Sequence, residues 1–244
     1  MRPFLFIPAV LVMLTPVSAA EVSVAVAANF TKPAEELGAA FKAATGDSVS
    51  FAFGATGQLY TQISQGAPFE VLLSADNKRP AQAVAEGLGV DGSVFTYAVG
   101  KVVLYSPGID VTDGRAVLAA GAFEHLAVAD AKTAPYGAAA IEAMTALGLY
   151  EALAGKQVTG ESITQTLQFI DSGNAELGFV ALSQVVGKPA EQVWPVPAEL
   201  YSPILQDAVL LKTGAENPAA AAFLDFLRSD DAHAIIGRYG YDLE

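Results

Sequence analysis

Where short apolar runs give way to segments of helical spacing, the chain places small or neutral residues able to offer hydrogen bonds. Asn29 follows VAVAA, Thr56 lies inside GATGQ, Tyr136 opens PYGAAA after TA, and Ile163 follows ES. None of these carries a charge, yet each sits where the binding of anions is easiest. The first turn of a helix leaves backbone N–H groups without partners and carries a partial positive charge, so several such turns meeting at one point make an anion receptor. Each residue also has an ordinary structural reading. Asn29 is a favoured N-cap residue, Thr56 can cap a short helix, Tyr136 can be a core aromatic with a wet hydroxyl, and Ile163 packs through its side chain. Asn29-Phe30-Thr31 also matches a glycosylation sequon, which the buried strand before it argues against.

Catalysis is not expected, because the parts are missing. There is no cysteine to act as nucleophile, and His125 and His233 have no nucleophile or carboxylate at a recognisable spacing. HExxH, CxxC, Walker A and GxGxxG patterns are absent, and GATGQ lacks the lysine of a phosphate-binding loop. The acidic pairs Glu35-Glu36 and Asp230-Asp231 read as solvated helix faces. An exported hydrolase remains only as a remote alternative.

The elements that must position these residues alternate along the chain. Val22 to Ala27 reads as a buried strand; Phe30, Ala34, Leu37 and Phe41 then recur at helical spacing until Gly46. Val49 to Phe53 is a second strand, the segment after GATG a short helix, and PFEVLLSAD a third strand entering a helix near Asn77. After Val99 to Gly108 the pattern restarts: strand from His125 to Ala129, helices from Pro135 to Leu147 and from Ser162 to Asp171, strand from Leu177 to Ala181. ILQDAVLLK reads as a late strand, and NPAAAAFLDFLRSD as a helix with Asn217 at the N-cap and Pro218 at the first helical position. Strand and helix alternating in this way give an α/β fold with mostly parallel sheets. In such a sheet, ligands collect beyond the carboxyl ends of the strands.

Arg2, the apolar stretch from Phe4 to Leu14 and the small residues Ser18-Ala19-Ala20 read as a signal peptide cut after Ala20, too short to span a bilayer. Without a cysteine there is neither a lipid anchor site nor a disulfide framework. The remaining 224 residues carry 12 basic and 26 acidic side chains, a net charge of -14. Such a surface repels nucleic acid and anionic membranes.

Five segments appear in one family's order and cover most of the mature chain: VSVAVAANFTKPAEELGAAFKAATG, FAFGATGQLYTQISQGAPFEVLLSAD, TAPYGAAAIEAMTALGLYEAL, ESITQTLQFIDSGNAELGFVALSQV and NPAAAAFLDFLRSD. Through them the chain resembles the periplasmic molybdate-binding proteins of ABC uptake systems, GAPFEVLLSAD and DSGNAELGFVALS being the most specific stretches. The resemblance implies a two-lobed type II periplasmic-binding-protein fold, lobe 1 from residues 21–100 plus 204–244 and lobe 2 from 101–203. It implies a hinge near Val99 to Val103 and Tyr201 to Leu205.

It further implies a tetrahedral dianion, molybdate or tungstate, held in the cleft by Asn29 and Thr56 from lobe 1 and by backbone N–H groups of Tyr136 and Ile163 from lobe 2. Ala28 adds a backbone donor, and Tyr136 adds its phenolic hydroxyl. No cofactor is implied; the partner is an ABC permease and the protein is expected to be a periplasmic monomer. Many relatives carry serine at both lobe 1 positions, and the asparagine leaves open another small oxyanion or organic anion as ligand.

Overall fold

The computed structural model describes residues 19–243. Except for residues 19 and 20, the signal-peptide reading falls outside the described residues. Strand β1 (Glu21–Ala27) runs through a short 3-10 turn (Ala28–Phe30) into α1 (Thr31–Thr45), followed by β2 (Ser48–Gly54), α2 (Thr56–Ser64), β3 (Val71–Leu73), α3 (Lys78–Ala85) and β4 (Phe95–Gly100). The chain then crosses into β5 (Val102–Tyr105), α4 (Gly114–Ala120), β6 (Leu126–Ala129), α5 (Pro135–Ala146), α6 (Tyr150–Leu153), β7 (Gln157–Gly160), α7 (Ile163–Asp171), β8 (Leu177–Ala181), α8 (Leu182–Val185) and β9 (Val193–Pro195). It returns through β10 (Ile204–Leu210) and ends in α9 (Pro218–Leu227) and α10 (Asp230–Arg238).

Two five-stranded sheets result, ordered β2-β1-β3-β10-β4 and β7-β6-β8-β5-β9. In the first, β1 pairs in parallel with both β2 and β3, while β10 runs antiparallel to β3 and β4. In the second, β6 pairs in parallel with β7 and β8, and β5 runs antiparallel to β8 and β9. The sheets are therefore mixed, with the parallel pairs at the strands that lead into the candidate site residues. A central parallel strand is covered on both faces, which is why β1 and β6 read as nearly unbroken apolar runs.

Packing follows the helical spacing. Pro33, Ala34, Leu37 and Phe41 are the buried residues of α1. Phe41 meets Phe223 of α9 edge to face at 5.3 Å. Each such side chain contributes roughly 1.5–3 kcal/mol by leaving water. The helix stops where Gly46 adopts a left-handed φ of 86° and its N–H bonds the Lys42 carbonyl, a conformation glycine takes without penalty. Asn217 caps α9 by accepting the Ala219 N–H at 3.1 Å, with Pro218 at the first helical position. Glu35, Asp230 and Asp231 are exposed and Glu36 is half-buried.

The sheets are joined by two crossings, through Lys101 between β4 and β5 and through residues 196–203 between β9 and β10. The apolar stretch from Val99 is thus divided between two sheets. Beside it the C-terminal segment is tied down by paired backbone bonds between Val99 and Asp242, at 2.8 and 3.1 Å. That anchorage delivers Tyr241 to the interior beneath the carboxyl end of β1.

Candidate functional site

Ala28, Asn29, Thr56, Tyr136 and Ile163 line one cavity, together with Ala27, Gly54, Ala55, Ala75, Ala134 and Pro135. The lining contains no charged side chain. It draws on both sheets: β1 and β2 deliver the first three residues, β6 and β7 the other two.

The local reasons are legible one by one. The 3-10 turn and α2 begin after Ala27 and Ala55, and α5 begins after Ala134; none of the three starts has a side-chain cap. Their first N–H groups, Ala28, Asn29 and Thr56 among them, have no partner within their own helix. In α5 the first position is Pro135, which has no N–H, so Tyr136 offers the first donor. Gly137 lets this turn press against β6, since a Cβ there would lie 2.2 Å from the Ala129 carbonyl oxygen. At α7, Ser162 accepts the Gln165 N–H at 3.3 Å and leaves the Ile163 N–H free of intrahelical bonding.

Thr56 is 1% exposed, and its Oγ1 accepts the Ala75 N–H at 3.0 Å. Accepting that bond fixes the rotamer and leaves the hydroxyl's own proton to donate.

Asn29 behaves differently from its N-cap reading. It caps neither the 3-10 turn nor α1. At 3% exposure its Nδ2 donates to Gln206 Oε1 at 2.9 Å and to the Tyr241 hydroxyl at 2.8 Å. Both amide hydrogens are spent inside the protein, so the donor Asn29 can offer the cavity is its backbone N–H. The same nitrogen would have to carry a sugar, which this burial excludes.

The Tyr136 hydroxyl is also turned inward. It accepts Gln206 Nε2–H at 3.1 Å and is hydrogen-bonded to Tyr241. The phenol thus takes part in an internal network, while Tyr136 also lines the cavity. Burial, with the neighbouring phenols Tyr241 and Tyr97, holds its pKa well above the ordinary 10.0. Tyr241 is pushed up to about 12 by burial, against the opposing pull of bonds to Ser183, Asn29, Tyr136 and Gln206. Both phenols stay neutral at physiological pH.

The two halves meet around the cavity. Gly57 N–H donates to the Thr133 carbonyl at 2.9 Å, Thr164 Oγ1 to the Ala28 carbonyl at 3.3 Å, and Ser183 Oγ to the Asn29 carbonyl at 2.9 Å. A larger cleft of about 420 Å³ lies alongside and shares Ala75, Ala134 and Pro135 with the cavity. Lys78, Arg79 and Lys132 line that cleft, as do Asp76 and Glu142. Charge is therefore kept one layer away from the neutral centre. Among the described residues no group of three or more His, Cys, Asp or Glu side chains is arranged to hold a metal ion, and no helix is long and apolar enough to cross a membrane.

Residues 22–242 match the family described as bacterial extracellular solute-binding protein. The chain belongs to this family. A molybdate-binding protein from Rhodobacter capsulatus is 58% identical over 229 residues, covering 94% of this chain and 91% of the relative. The solved periplasmic molybdate-binding protein of Azotobacter vinelandii superposes with a TM-score of 0.87 at 39% identity, covering 91% of this chain and 99% of that one. A sulfate-binding protein from Mycobacterium tuberculosis shares the fold, with a TM-score of 0.71 at 13% identity over 91% of this chain and 86% of that one. The two-lobed solute-binding fold expected from the sequence is thus the fold of this chain.

Sequence reasoning missed the support beneath the site of this solute-binding protein: Gln206, Tyr97, Tyr241 and Ser183. Tyr97 donates to the Ser74 carbonyl at 3.0 Å and to Gln206 Oε1 at 3.2 Å. Phe30 packs edge to face on Tyr97 at 4.9 Å and on Tyr241 at 5.3 Å, fixing both rings. The available signal was a glutamine and an aspartate interrupting the apolar strand ILQDAVL.

Proposed function

We propose that this chain captures molybdate, with tungstate as a second ligand, in the cavity lined by Ala28, Asn29, Thr56, Tyr136 and Ile163, and delivers it to an ABC permease. It works in the periplasm, as a monomer and without catalysis, and its lobes are residues 21–100 with 204–244 and residues 101–203. One observation carries the reading: uncapped helix starts from both sheets border a cavity with no charged side chain. The names and sequence identity of the relatives support the choice of ligand.

The physical logic is solvent substitution. A dianion entering the cavity exchanges water for N–H and O–H donors, each contributing about 1.5–3 kcal/mol when the acceptor is charged. Four or five such donors offset much of its desolvation. The protein's overall negative charge is a weak opponent, being screened beyond about 8 Å at physiological ionic strength. Donors that carry no removable proton at neutral pH also favour a fully deprotonated ligand, because a protonated oxyanion would set donor against donor. Phosphate is disfavoured on this ground, and sulfate must be rejected by size. An amino acid is disfavoured because no arginine lines the cavity to grip a carboxylate.

Calorimetric titration with molybdate, tungstate, sulfate and phosphate tests the proposal. Tight one-to-one binding of the first two, level from neutral to mildly alkaline pH, is expected. An absence of heat and of thermal shift with both metal oxyanions would overturn it.

A further inference from the structure

We propose that Gln206 is a positioning residue that latches the two lobes around the bound ion and thereby sets its rate of release. This rests on the oxyanion-binding reading and goes beyond it, since Gln206 does not line the cavity.

Three features of the structure converge on this side chain. Gln206 is fully buried, and its amide is used at both ends. Oε1 accepts from Asn29 Nδ2 at 2.9 Å and from the Tyr97 hydroxyl at 3.2 Å, both on the first sheet's side, while Nε2 donates to the Tyr136 hydroxyl at 3.1 Å, at the start of α5 on the second. A buried amide with this many fixed partners has one orientation, because a flip would set its NH2 against the Asn29 NH2 and break the pattern.

Secondly, the register of β10 against β4 shifts between Gln206 and Asp207. A β-bulge re-aims a side chain that a regular strand would place elsewhere, and here it lies within β10, shortly after the crossing through residues 196–203. Thirdly, Gly100, at the other crossing, leaves room for the bond. A Cβ at Gly100 would lie 2.2 Å from the Tyr136 hydroxyl and 2.7 Å from Gln206 Nε2.

Asn29 and Tyr136 each bring a backbone donor to the cavity through their main chains, and each hands its side chain to Gln206. The amide therefore ties a donor segment of one lobe to a donor segment of the other beside the crossings between them. The bond to Tyr136 spans the two sheets' sides, so an opening that draws α5 away from β10 must break it. Losing it must act on opening more than on encounter.

Stopped-flow binding of molybdate, read by intrinsic fluorescence, separates the two rates. Tyr136→Phe removes the far end of the latch, with the phenol's bond to Tyr241, and keeps the backbone donor. It is expected to raise the dissociation rate about tenfold, with the association rate within twofold of the parent. Gln206→Leu should raise the dissociation rate at least as much, and Tyr136→Phe added to Gln206→Leu should raise it little further, because both break one bond. A dissociation rate unchanged in Tyr136→Phe would overturn the latch. So would an effect of Tyr136→Phe that persists in full in the Gln206→Leu background, since the phenol would then be acting on the ion directly. If the unaltered protein bound neither molybdate nor tungstate, the oxyanion reading itself would fail, an outcome distinct from normal binding with an inert Gln206.

Discussion

Two groups of helix starts can be compared in this protein, although a missing N-cap side-chain bond is not confined to the cavity, since α3 and α6 lack one too. Away from the cavity, α4, α9 and α10 are each closed by a side chain: Asp113 accepts the Ala116 N–H at 3.0 Å, Asn217 the Ala219 N–H at 3.1 Å and Ser229 the Ala232 N–H at 3.2 Å. At the cavity, the 3-10 turn, α2 and α5 follow Ala27, Ala55 and Ala134, with no side-chain cap. Alanine at an N-cap costs about 1 kcal/mol relative to serine, aspartate or asparagine. The sequence therefore forgoes ordinary local stability at the starts that border the cavity, and α7 stands between the two kinds, with Ser162 capping Gln165 but leaving Ile163. What the difference teaches is that a binding site for an anion can be written as an omission. Under the proposed function, the N–H groups that a cap would satisfy are the ones offered to the ligand.

The sharpest way to break this contrast is to give a cavity helix the cap it lacks. Ala55→Asp places a carboxylate at the start of α2 and within the cavity, and should weaken molybdate binding at least 100-fold, equivalent to about 2.7 kcal/mol, measured by calorimetry. Retained affinity would mean that the α2 start does not face the ion. Thr56→Val removes the hydroxyl while keeping the backbone N–H, and should cost about 1.5–3 kcal/mol of binding. The apo protein should also melt lower, since the Ala75 N–H loses its acceptor.

Gly57→Ala probes closure instead of capping. A Cβ there would lie 3.0 Å from the Thr133 Cα across the lobe contact, and crowding of this kind costs about 1–3 kcal/mol. Affinity should fall with little change in the apo melting temperature. At the structural end of the comparison, Ser229→Ala should lower stability by about 1 kcal/mol, or roughly 2–4 °C, and leave affinity untouched. A change in affinity there would show that the two kinds of helix start are not separable.

The smallest effect is the pH response. Burial raises the folded-state pKa of Tyr241 from 10.0 to about 12, so the neutral phenol is favoured in the fold. That contribution is complete below pH 10 and is lost as pH rises from 10 towards 12. Denaturant titrations at pH 9 and pH 11 should therefore show lower stability at the higher pH, and Tyr241→Phe should lessen the decline.

Much of the fold was readable because its signals are local. The helical spacing of Ala34, Leu37 and Phe41, the stop at Gly46 and the Asn217-Pro218 start all act within a few residues, and Leu177 to Ala181 reads as a strand over the bounds it adopts. The short strands β7 and β9, of four and three residues, carry too little pattern to be read. The Asn29 side chain was misread for a different reason. Its partners Gln206 and Tyr241 lie 177 and 212 residues away, whereas an N-cap bond lies within three, so local reasoning supplies the cap and cannot supply the network. The Tyr136 phenol follows the same rule, its partner Gln206 lying 70 residues along the chain. Backbone positions at the cavity could be read from helix starts alone; the side chains bracing them required the tertiary fold.

The most direct measurement is a crystal structure of the molybdate complex, with the metal located by anomalous scattering. The ion is expected in the cavity between Thr56 and Tyr136, its oxygens within roughly 2.7–3.2 Å of the backbone nitrogens of Ala28, Asn29, Tyr136 and Ile163 and of the Thr56 hydroxyl. A lysine or arginine side chain gripping the ion, or an ion seated in the charged cleft beside Lys78 and Lys132 instead, would contradict the claim that neutral dipoles at uncapped helix starts hold it.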